Sequence, residues 1–477
     1  MSTTMKTSTL VLDLHKAALR TRTGTGVVTL LAIMSLTVSS TVAFLVAGGT
    51  WMFYERAQRP EDFQVVMEAL GLDDAGPELQ NGVMAPWVVL ALFACAFLVP
   101  TIFSLTAQAA VLGASGREKR LATLRLIGLS SGDITRMTML ETAVQAIIGI
   151  VLGGLLSFLL VPVFSNLTFQ EVSIGAAELI LPWWGYAVVA AVIFLLAVGA
   201  SIAGMQRVRV SPLGVTRKEM PPALKYRGPI MFAVVTIGTL LLVRNTSMDD
   251  GAFAMAIVAG VIAVNVLLIN WLAPFVLQVI YRMLALLPGN AHFVASQRIV
   301  ADAKTTWRRS ASTAFFGVIA GFLIISPFGN DGLASLIQEE RGTYMMFGDV
   351  TTGGLLTLGF GFVLSSMAIF LSLSSHIFEQ ASLNRSLHLI GVNRGFYLRA
   401  QIAETLGPII IVSLIGFSFG VLVASTMLAG ALADVNVLGR VAMAITFLGI
   451  GWLMTLIAIV AVEPLRTNTL EIGRDNG

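Results

Sequence analysis

An all-α, polytopic membrane fold is what the sequence predicts, and three observations carry that prediction. Of 477 residues, 56% are hydrophobic and only 12% are charged, against roughly 25% charged in soluble domains. Mean hydropathy is +0.85, more apolar surface than a soluble interior of this size can hide. Ten stretches meet or approach the ~20 apolar residues that a bilayer-crossing helix needs. The same numbers exclude a disordered chain, and the single cysteine, Cys95, excludes a disulfide scaffold. A pI of 9.1 invites a nucleic-acid reading. A net charge of +3 on so apolar a chain is better explained by basic cytoplasmic loops.

Taken in order, the ten spans fall at about 26–49, 86–112, 138–164, 183–206, 229–243, 252–287, 311–328, 353–377, 401–430 and 439–461. The fifth is short, and the sixth runs past bilayer thickness. The first follows Lys16, Arg20 and Arg22 as a signal peptide would, but its apolar run is longer than the about 7–15 residues of a signal peptide. It is therefore read as a retained span. Orientation follows from loop charge. With the N-terminus inside, the cytoplasmic segments 1–25, 113–137, 207–228, 282–310, 378–400 and 462–477 hold 25 of the 30 Lys and Arg residues, as the positive-inside rule demands. Both termini are then cytoplasmic, in a multi-pass protein of the cell (plasma) membrane. The outer loop 50–85 carries seven acids (Glu55, Glu61, Asp62, Glu68, Asp73, Asp74 and Glu78) against Arg56 and Arg59.

Internal repetition sets the organisation. A shift of 263 residues superposes Leu124, Leu126, Ile127, Gly128, Gly132, Arg136, Glu141 and Thr142 on Leu387, Leu389, Ile390, Gly391, Gly395, Arg399, Glu404 and Thr405, which is eight identities in 19 positions. Arg20 and Arg22 before span 1 correspond loosely to Arg308 and Arg309 before span 7. Two parallel four-helix repeats are expected, flanking a central helix pair and related by a pseudo-two-fold axis along the membrane normal. The expected domains are 1–228, a first four-helix unit with a cytoplasmic linker; 229–290, the helix pair; and 291–477, the second unit.

Each repeated loop reads as a short helix, a glycine break and a polar approach to the next span. In the first copy Leu121, Leu124 and Ile127 share one helical stripe, with Arg117, Arg120 and Arg125 interleaved, which is the pattern of an amphipathic helix on the cytoplasmic face. Gly128 and Gly391 suit helix C-termini. Such a helix either anchors the loop to the membrane surface or docks a cytoplasmic partner. Its duplication favours docking, because a two-fold partner needs two matching contacts.

The run from Arg117 through Leu124, Gly128 and Arg136 to Glu141, repeated from Arg385 to Glu404, resembles the FtsX-like (MacB-type, type VII) ABC transporter permease domain. The second copy departs from the first: Ser386 and His388 replace Thr123 and Arg125, and the Arg-Glu-Lys-Arg cluster is missing. The segment 209–218 also resembles the linker that follows the spans of such permeases. The resemblance implies that two coupling helices, Arg117–Ser131 and Glu379–Arg394, seat in an ABC ATPase subunit, as a dimer whose two copies meet the two loops. Arg117, Arg120, Leu121, Leu124, Arg125, Ile127 and Gly128, with Arg385, Leu387, His388, Ile390 and Gly391, would make those contacts. ATP and Mg would be held by that partner and not by this chain. The ten-helix layout is similar to single-chain permeases of antimicrobial-peptide resistance systems, which usually carry a large outer domain between helices 7 and 8; here that stretch spans only about 329–352.

No phosphate-cradling G-x-x-x-x-G-K-[ST] motif occurs, no G-x-S-x-G elbow occurs, and the four histidines (His15, His292, His376, His388) lie far apart. No catalytic residue and no metal ligand set is assigned, and the chain reads as a non-enzyme with no nucleic-acid partner. Ionisable groups within spans mark function by default, and few occur here. Glu141 and Glu404, near the inner ends of spans 3 and 9, either snorkel to the interface or pair with cations around Arg136 and Arg399 to transmit motion. Asn265, Asn270 and Gln278 on span 6 suit interhelical hydrogen bonds. The scarcity of central charges argues for a lipophilic or amphipathic substrate (an antimicrobial peptide, drug or lipid), exported or extracted; Phe93, Phe97, Phe103, Phe360, Phe362, Phe370 and Met367 either line a path for it or are packing and lipid-facing groups. The alternative is a mechanotransmitter that relays ATPase motion to an extracytoplasmic partner or a sensor kinase, with the loop 50–85 as the contact surface.

Overall fold

The computed structural model describes residues 24–59, 64–70, 84–115, 131–209, 227–244, 269, 272–325, 341–379, 394–427 and 436–466. Nearly all of them are helical. In chain order the helices are α1 (Gly24–Gln58), α2 (Gln64–Ala69), α3 (Ala85–Ser115), α4 (Ser131–Phe164), α5 (Trp183–Arg209), α6 (Arg227–Arg244), α7 (Leu272–Leu284), α8 (Asn290–Ala301), α9 (Ala303–Phe322), α10 (Arg341–Glu379), α11 (Arg394–Met427) and α12 (Val437–Ala461). A two-residue hairpin, β1 (Thr168–Phe169) and β2 (Val172–Ser173), sits between α4 and α5.

Among the described residues, eight helices are long and apolar enough to cross a membrane: those within 26–58, 85–112, 135–164, 183–203, 303–325, 344–377, 395–422 and 437–466. They coincide with the spans that the sequence assigns to the two four-helix units, and they define a multi-pass helical membrane protein. Of the expected central pair, the fifth span is the 18-residue helix α6, and the sixth is represented by α7, much of the rest lying outside the described residues. Segments α4 and α11 are each 34 residues long, and both their bounds are related by the 263-residue shift.

Lateral surfaces explain the composition. Leu159 is 74% exposed and Leu195 67% exposed, on helices whose mean hydropathy is 2.6 and 2.5. In water such faces would have to be buried; here they face hydrocarbon, so the helices gain little from burial against one another. Close packing must supply the cohesion instead, and small residues at the crossings allow it. A Cβ at Gly153 of α4 would come within 2.6 Å of the Ser40 Cβ on α1. A Cβ at Gly420 of α11 would strike the Val318 carbonyl of α9.

By its contacts the chain divides into two compact units. Unit 1 comprises residues 1–215, 315–384 and 415–477; unit 2 comprises 216–314 and 385–414. Unit 1 contains α1, α3, α4, α5, α10 and α12, with α1 packed against α3 and α4, and α3 against α5 and α10. Its interior holds Leu36, Leu98, Leu105, Leu364 and Leu371, and a second cluster gathers Phe316, Leu358, Phe362 and Leu448. The 3₁₀ turn Leu323–Ile325 that follows α9 is closed by the buried Arg440, whose Nη1 donates to the Ile324 carbonyl at 2.7 Å. A cation suits that position because the last carbonyls of a helix lack partners and carry partial negative charge. Unit 2 is centred on Leu277, Tyr281, Ile299, Trp307 and Val412.

Candidate functional site

At one end of unit 1, α1 and α4 finish while α3, α5 and α10 begin. The short α2, the hairpin β1–β2 and these helix ends form an ordered cap. Its apolar part holds Met52, Phe53, Val66, Met67, Met84, Trp87, Phe169, Ile174 and Met345.

A polar network crosses this cap. Arg56, 3% exposed, donates Nε to Glu178 at 2.8 Å, Nη1 to the Phe169 carbonyl at 3.2 Å and Nη1 to Gln170 Oε1 at 3.1 Å. Asp349, also buried, accepts from Trp87 Nε1 at 2.7 Å and from the Gln170 backbone N–H at 2.9 Å. Gln170 Nε2 reaches Met84 Sδ at 3.4 Å. One residue of the hairpin thus ties together α1, α10 and Met84, the residue before α3. Trp87 and Asp349 lie 262 residues apart, within one residue of the repeat shift, so the bond joins nearly equivalent positions of α3 and α10.

The hairpin that presents Gln170 is strained. Gln170 and Glu171 have φ of 60° and 58°, the left-handed region that costs a residue with a Cβ about 1–2 kcal/mol. Two successive left-handed residues give a turn whose twist matches a two-stranded ribbon. Side chains occupy both positions because both are used: the Gln170 amide accepts from Arg56 and reaches Met84, while Glu171 accepts from Arg341 Nη2 at 2.7 Å. That carboxylate raises the Arg341 guanidinium above its ordinary pKa, with a lesser push from Glu68.

Directly beneath the cap lies a cavity of about 580 Å³, within the ~300–1,000 Å³ usual for ligand pockets. Its walls come from α1 (Leu45, Gly49, Phe53), α3 (Leu90, Phe93, Phe97), the end of α9 (Val318, Phe322) and α10 (Gly353, Phe360), with Phe164, Phe169 and Leu179 closing it. Thr50 and Thr357 are the two lining residues with polar side chains. Both hydroxyls are turned into their own helices, donating to the Val46 and Gly353 carbonyls at 2.8 Å. The surface offered to an occupant is therefore chemically apolar.

The sequence-derived candidates distribute unevenly. Phe93, Phe97 and Phe360 line the cavity. Phe103 is exposed on α3, Phe362 is buried against Phe316 at a ring distance of 5.7 Å, and Phe370 and Met367 pack on the interior of unit 1. Arg117, Arg120, Leu121, Leu124, Arg125, Ile127 and Gly128, and Arg385, Leu387, His388, Ile390 and Gly391, lie outside the described residues, as do Asn265 and Asn270. Glu141 is buried in α4 with Thr142 and Gln145, and the Thr142 hydroxyl bonds that of Ser201 at 3.0 Å. Glu404 pairs with Arg298 at 3.0 Å, whereas Arg399 on its own helix is exposed. Five residues of an α-helix turn through ~500°, which leaves positions 399 and 404 about 140° apart; the cation therefore comes from α8. Gln278 on α7 donates to the Val300 carbonyl at 3.2 Å. Among the described residues no three His, Cys, Asp or Glu side chains gather as metal ligands.

Gln170, Glu178, Trp87 and Asp349 were not singled out by sequence. A polar run in the short α4–α5 connection (Asn166, Gln170, Glu171, Glu178) and one acid in the apolar stretch 344–358 were the available signals.

Residues 82–212 match the family model of the FtsX-like permease C-terminal domain. The match takes in α3, the first repeated loop, α4, the hairpin and α5, all within unit 1, and it is consistent with an FtsX-like permease. It supports an ABC transporter permease-type role in a multi-pass membrane protein, and FtsX-like permeases generally work with an ATPase partner. No curated protein matches the chain.

Proposed function

We propose that the chain is the membrane subunit of an ABC exporter or extractor for a lipophilic or amphipathic compound, driven by a separate ATPase subunit that binds ATP and Mg. The observation that carries this reading is the apolar cavity under the cap. An occupant there is held by the hydrophobic effect, worth about 25 cal/mol per Å² buried, and by aromatic faces, with no polar contact to impose a fixed head group. Such a site suits a compound defined by its apolar part. The docking loops 117–131 and 379–394 would seat in the ATPase on the cytoplasmic side, where both chain termini are placed by loop charge.

Cys95 offers a direct readout, since its Sγ lies 3.2 Å from Thr50 Oγ1 on the cavity wall. In proteoliposomes containing the chain and its co-purified ATPase, a palmitoyl lysophospholipid should slow alkylation of Cys95 by N-ethylmaleimide and stimulate ATP hydrolysis. A Cβ at Gly353 would meet nothing nearer than the Leu90 side chain at 3.7 Å, so Gly353→Leu should fill the cavity. That variant should abolish both effects while basal hydrolysis persists. Stimulation that survives the filled cavity would overturn the assignment.

One observation favours mechanotransmission as the second reading. Helix α10 runs 39 residues without interruption, about 58 Å, from the Arg341–Glu171 pair in the cap to Glu379, where the second docking loop begins. A rigid rod of that length can convert movement at one end into movement at the other. Deleting residues 55–80 would not separate the readings, because Arg56, Val66 and Met67 are buried parts of the cap. Neutralising Asp73, Asp74 and Glu78 spares those groups. If that change abolishes an outer response while lysophospholipid-stimulated hydrolysis continues, the transmitter reading gains at the exporter's expense.

A further inference from the structure

We propose that the stretch from Arg282 to Arg309 in unit 2 is a binding surface for anionic phospholipid headgroups. It is not needed by the transport reading and does not rest on it.

The apolar helix α7 ends in an exposed apolar turn. Met283 is 67% exposed, Leu286 86% and Leu287 54%, and Phe293 at the start of α8 is 48% exposed. Met283 lies in the last turn of α7, and Leu286 and Leu287 follow in the closing turn, bonded back to the Met283 and Leu284 carbonyls at 3.1 and 3.0 Å. Scattered apolar residues on a surface need no explanation, but a group of them marks an interaction site. The opposite sides of these elements are already used, since Leu277, Tyr281, Ile299 and Trp307 form the core of unit 2.

Cations flank this turn in the sequence. Arg282, Lys304 and Arg308 are exposed, and Asp302 is the single acid between residues 282 and 309. Asp302 Oδ1 is taken up by the Thr305 N–H at 3.2 Å at the start of α9. Glu404, the carboxylate that reaches this region from α11, is paired with Arg298. Arg282 thus adjoins the exposed apolar turn, and Lys304 and Arg308, one turn apart, open the membrane-length helix α9. A lipid leaflet likewise sets an apolar acyl boundary against its headgroups. Apolar groups at that boundary and basic groups just beyond it are the two components of interfacial binding. The cations distinguish lipids: a neutral headgroup does not reward them, whereas each Lys or Arg at an anionic surface raises affinity about fivefold.

The experiment uses the full chain with Cys95→Ser and Leu286→Cys, carrying a bimane at position 286, in phosphatidylcholine nanodiscs. Equal small mole fractions of headgroup-spin-labelled phosphatidylglycerol or phosphatidylcholine are added, and quenching reports local lipid enrichment. Phosphatidylglycerol should quench the bimane more strongly than phosphatidylcholine. Lys304→Gln with Arg308→Gln should cut its apparent affinity by roughly 25-fold, as should high salt. Both side chains are exposed, so folding should persist, and Arg59→Gln in the cap of unit 1 should leave the preference intact. Equal quenching by the two lipids, or a preference that survives neutralisation, would overturn the proposal. So would a bimane that no lipid quenches and that responds only when the ATPase is added, since the patch would then be a protein contact.

Discussion

Arg56 in the last turn of α1 and Arg59 just past its end carry the same charge, yet their surroundings give them different weight. Arg59 pairs with Glu55 at 2.9 Å on the surface, an i,i+4 contact worth at most about 0.5 kcal/mol. Arg56 is buried and holds Glu178, Gln170 and the Phe169 carbonyl. Removing it leaves three acceptors without their donor. Breaking a buried pair costs about 3–5 kcal/mol, which we reduce to about 2 kcal/mol because Glu178 is 35% exposed and water can reach it. Arg56→Met should therefore lower the melting temperature in detergent clearly, while Arg59→Met should leave it nearly unchanged; equal shifts would contradict the assigned network. Trp87→Phe keeps the ring and removes the donor to Asp349, at a cost of about 1–3 kcal/mol, and should also lower it. The hairpin gives the opposite balance. Glu171→Gly relieves about 1 kcal/mol of left-handed strain and loses a largely exposed ion pair worth about as much or less. Its melting temperature should change little, whereas Gln170→Gly should lose stability because the buried bonds to Arg56 and Met84 are made by the Gln170 side chain; the backbone bond to Asp349 would remain.

Between helices, glycine tests whether close approach or simple conformational freedom is at work. At Gly420 any side chain meets the backbone of α9, and at Gly153 the backbone and Ser40 of α1. Backbone cannot move aside as a side-chain tip can, so Gly420→Leu should cost well above the about 1–3 kcal/mol of ordinary overpacking and should abolish a monodisperse peak on gel filtration. At Gly199 and Gly359 nothing lies within 4 Å of an added Cβ, and alanine there should raise stability by about 0.5–1 kcal/mol through helix propensity. This division was not legible in the sequence, where Gly153, Gly199, Gly359 and Gly420 all stand in apolar runs. The elements themselves were legible, because lipid-facing helices must be continuously apolar and nothing else in the chain is. Their ends were less so: α1 continues to Gln58 and α10 begins at Arg341, well beyond the hydrocarbon-length runs, since helices that enter an ordered cap no longer need apolar residues. Of the cavity, Phe93, Phe97 and Phe360 could be named from aromatic content. The bond from Trp87 to Asp349 could not, because it depends on how α3 meets α10 in space.

At the scale of the whole chain, the duplicated loops decide whether the molecule is driven by a partner. Both connect helices that meet the same 263-residue shift: α4 and α11 begin at Ser131 and Arg394 and end at Phe164 and Met427. Leu124 and Leu387 occupy matching positions in those loops, on the apolar stripe of the amphipathic helix expected in the first copy. If the stripes enter grooves of an ATPase, a charge placed there must be desolvated without a partner, at a cost of several kcal/mol, enough to reduce binding by orders of magnitude. Leu124→Asp and Leu387→Asp should each reduce ATPase co-purification in detergent, measured per folded permease on gel filtration. The first should act more strongly, because Arg117, Lys119, Arg120 and Arg125 surround Leu124 with charge that the second copy mostly lacks. If the stripes lie on lipid instead, aspartate would lift the loop from the membrane surface and leave the partner bound. The double variant separates the two outcomes: its retention of the full complement of ATPase would remove the docking assignment, and with it the two-fold coupling on which both functional readings depend.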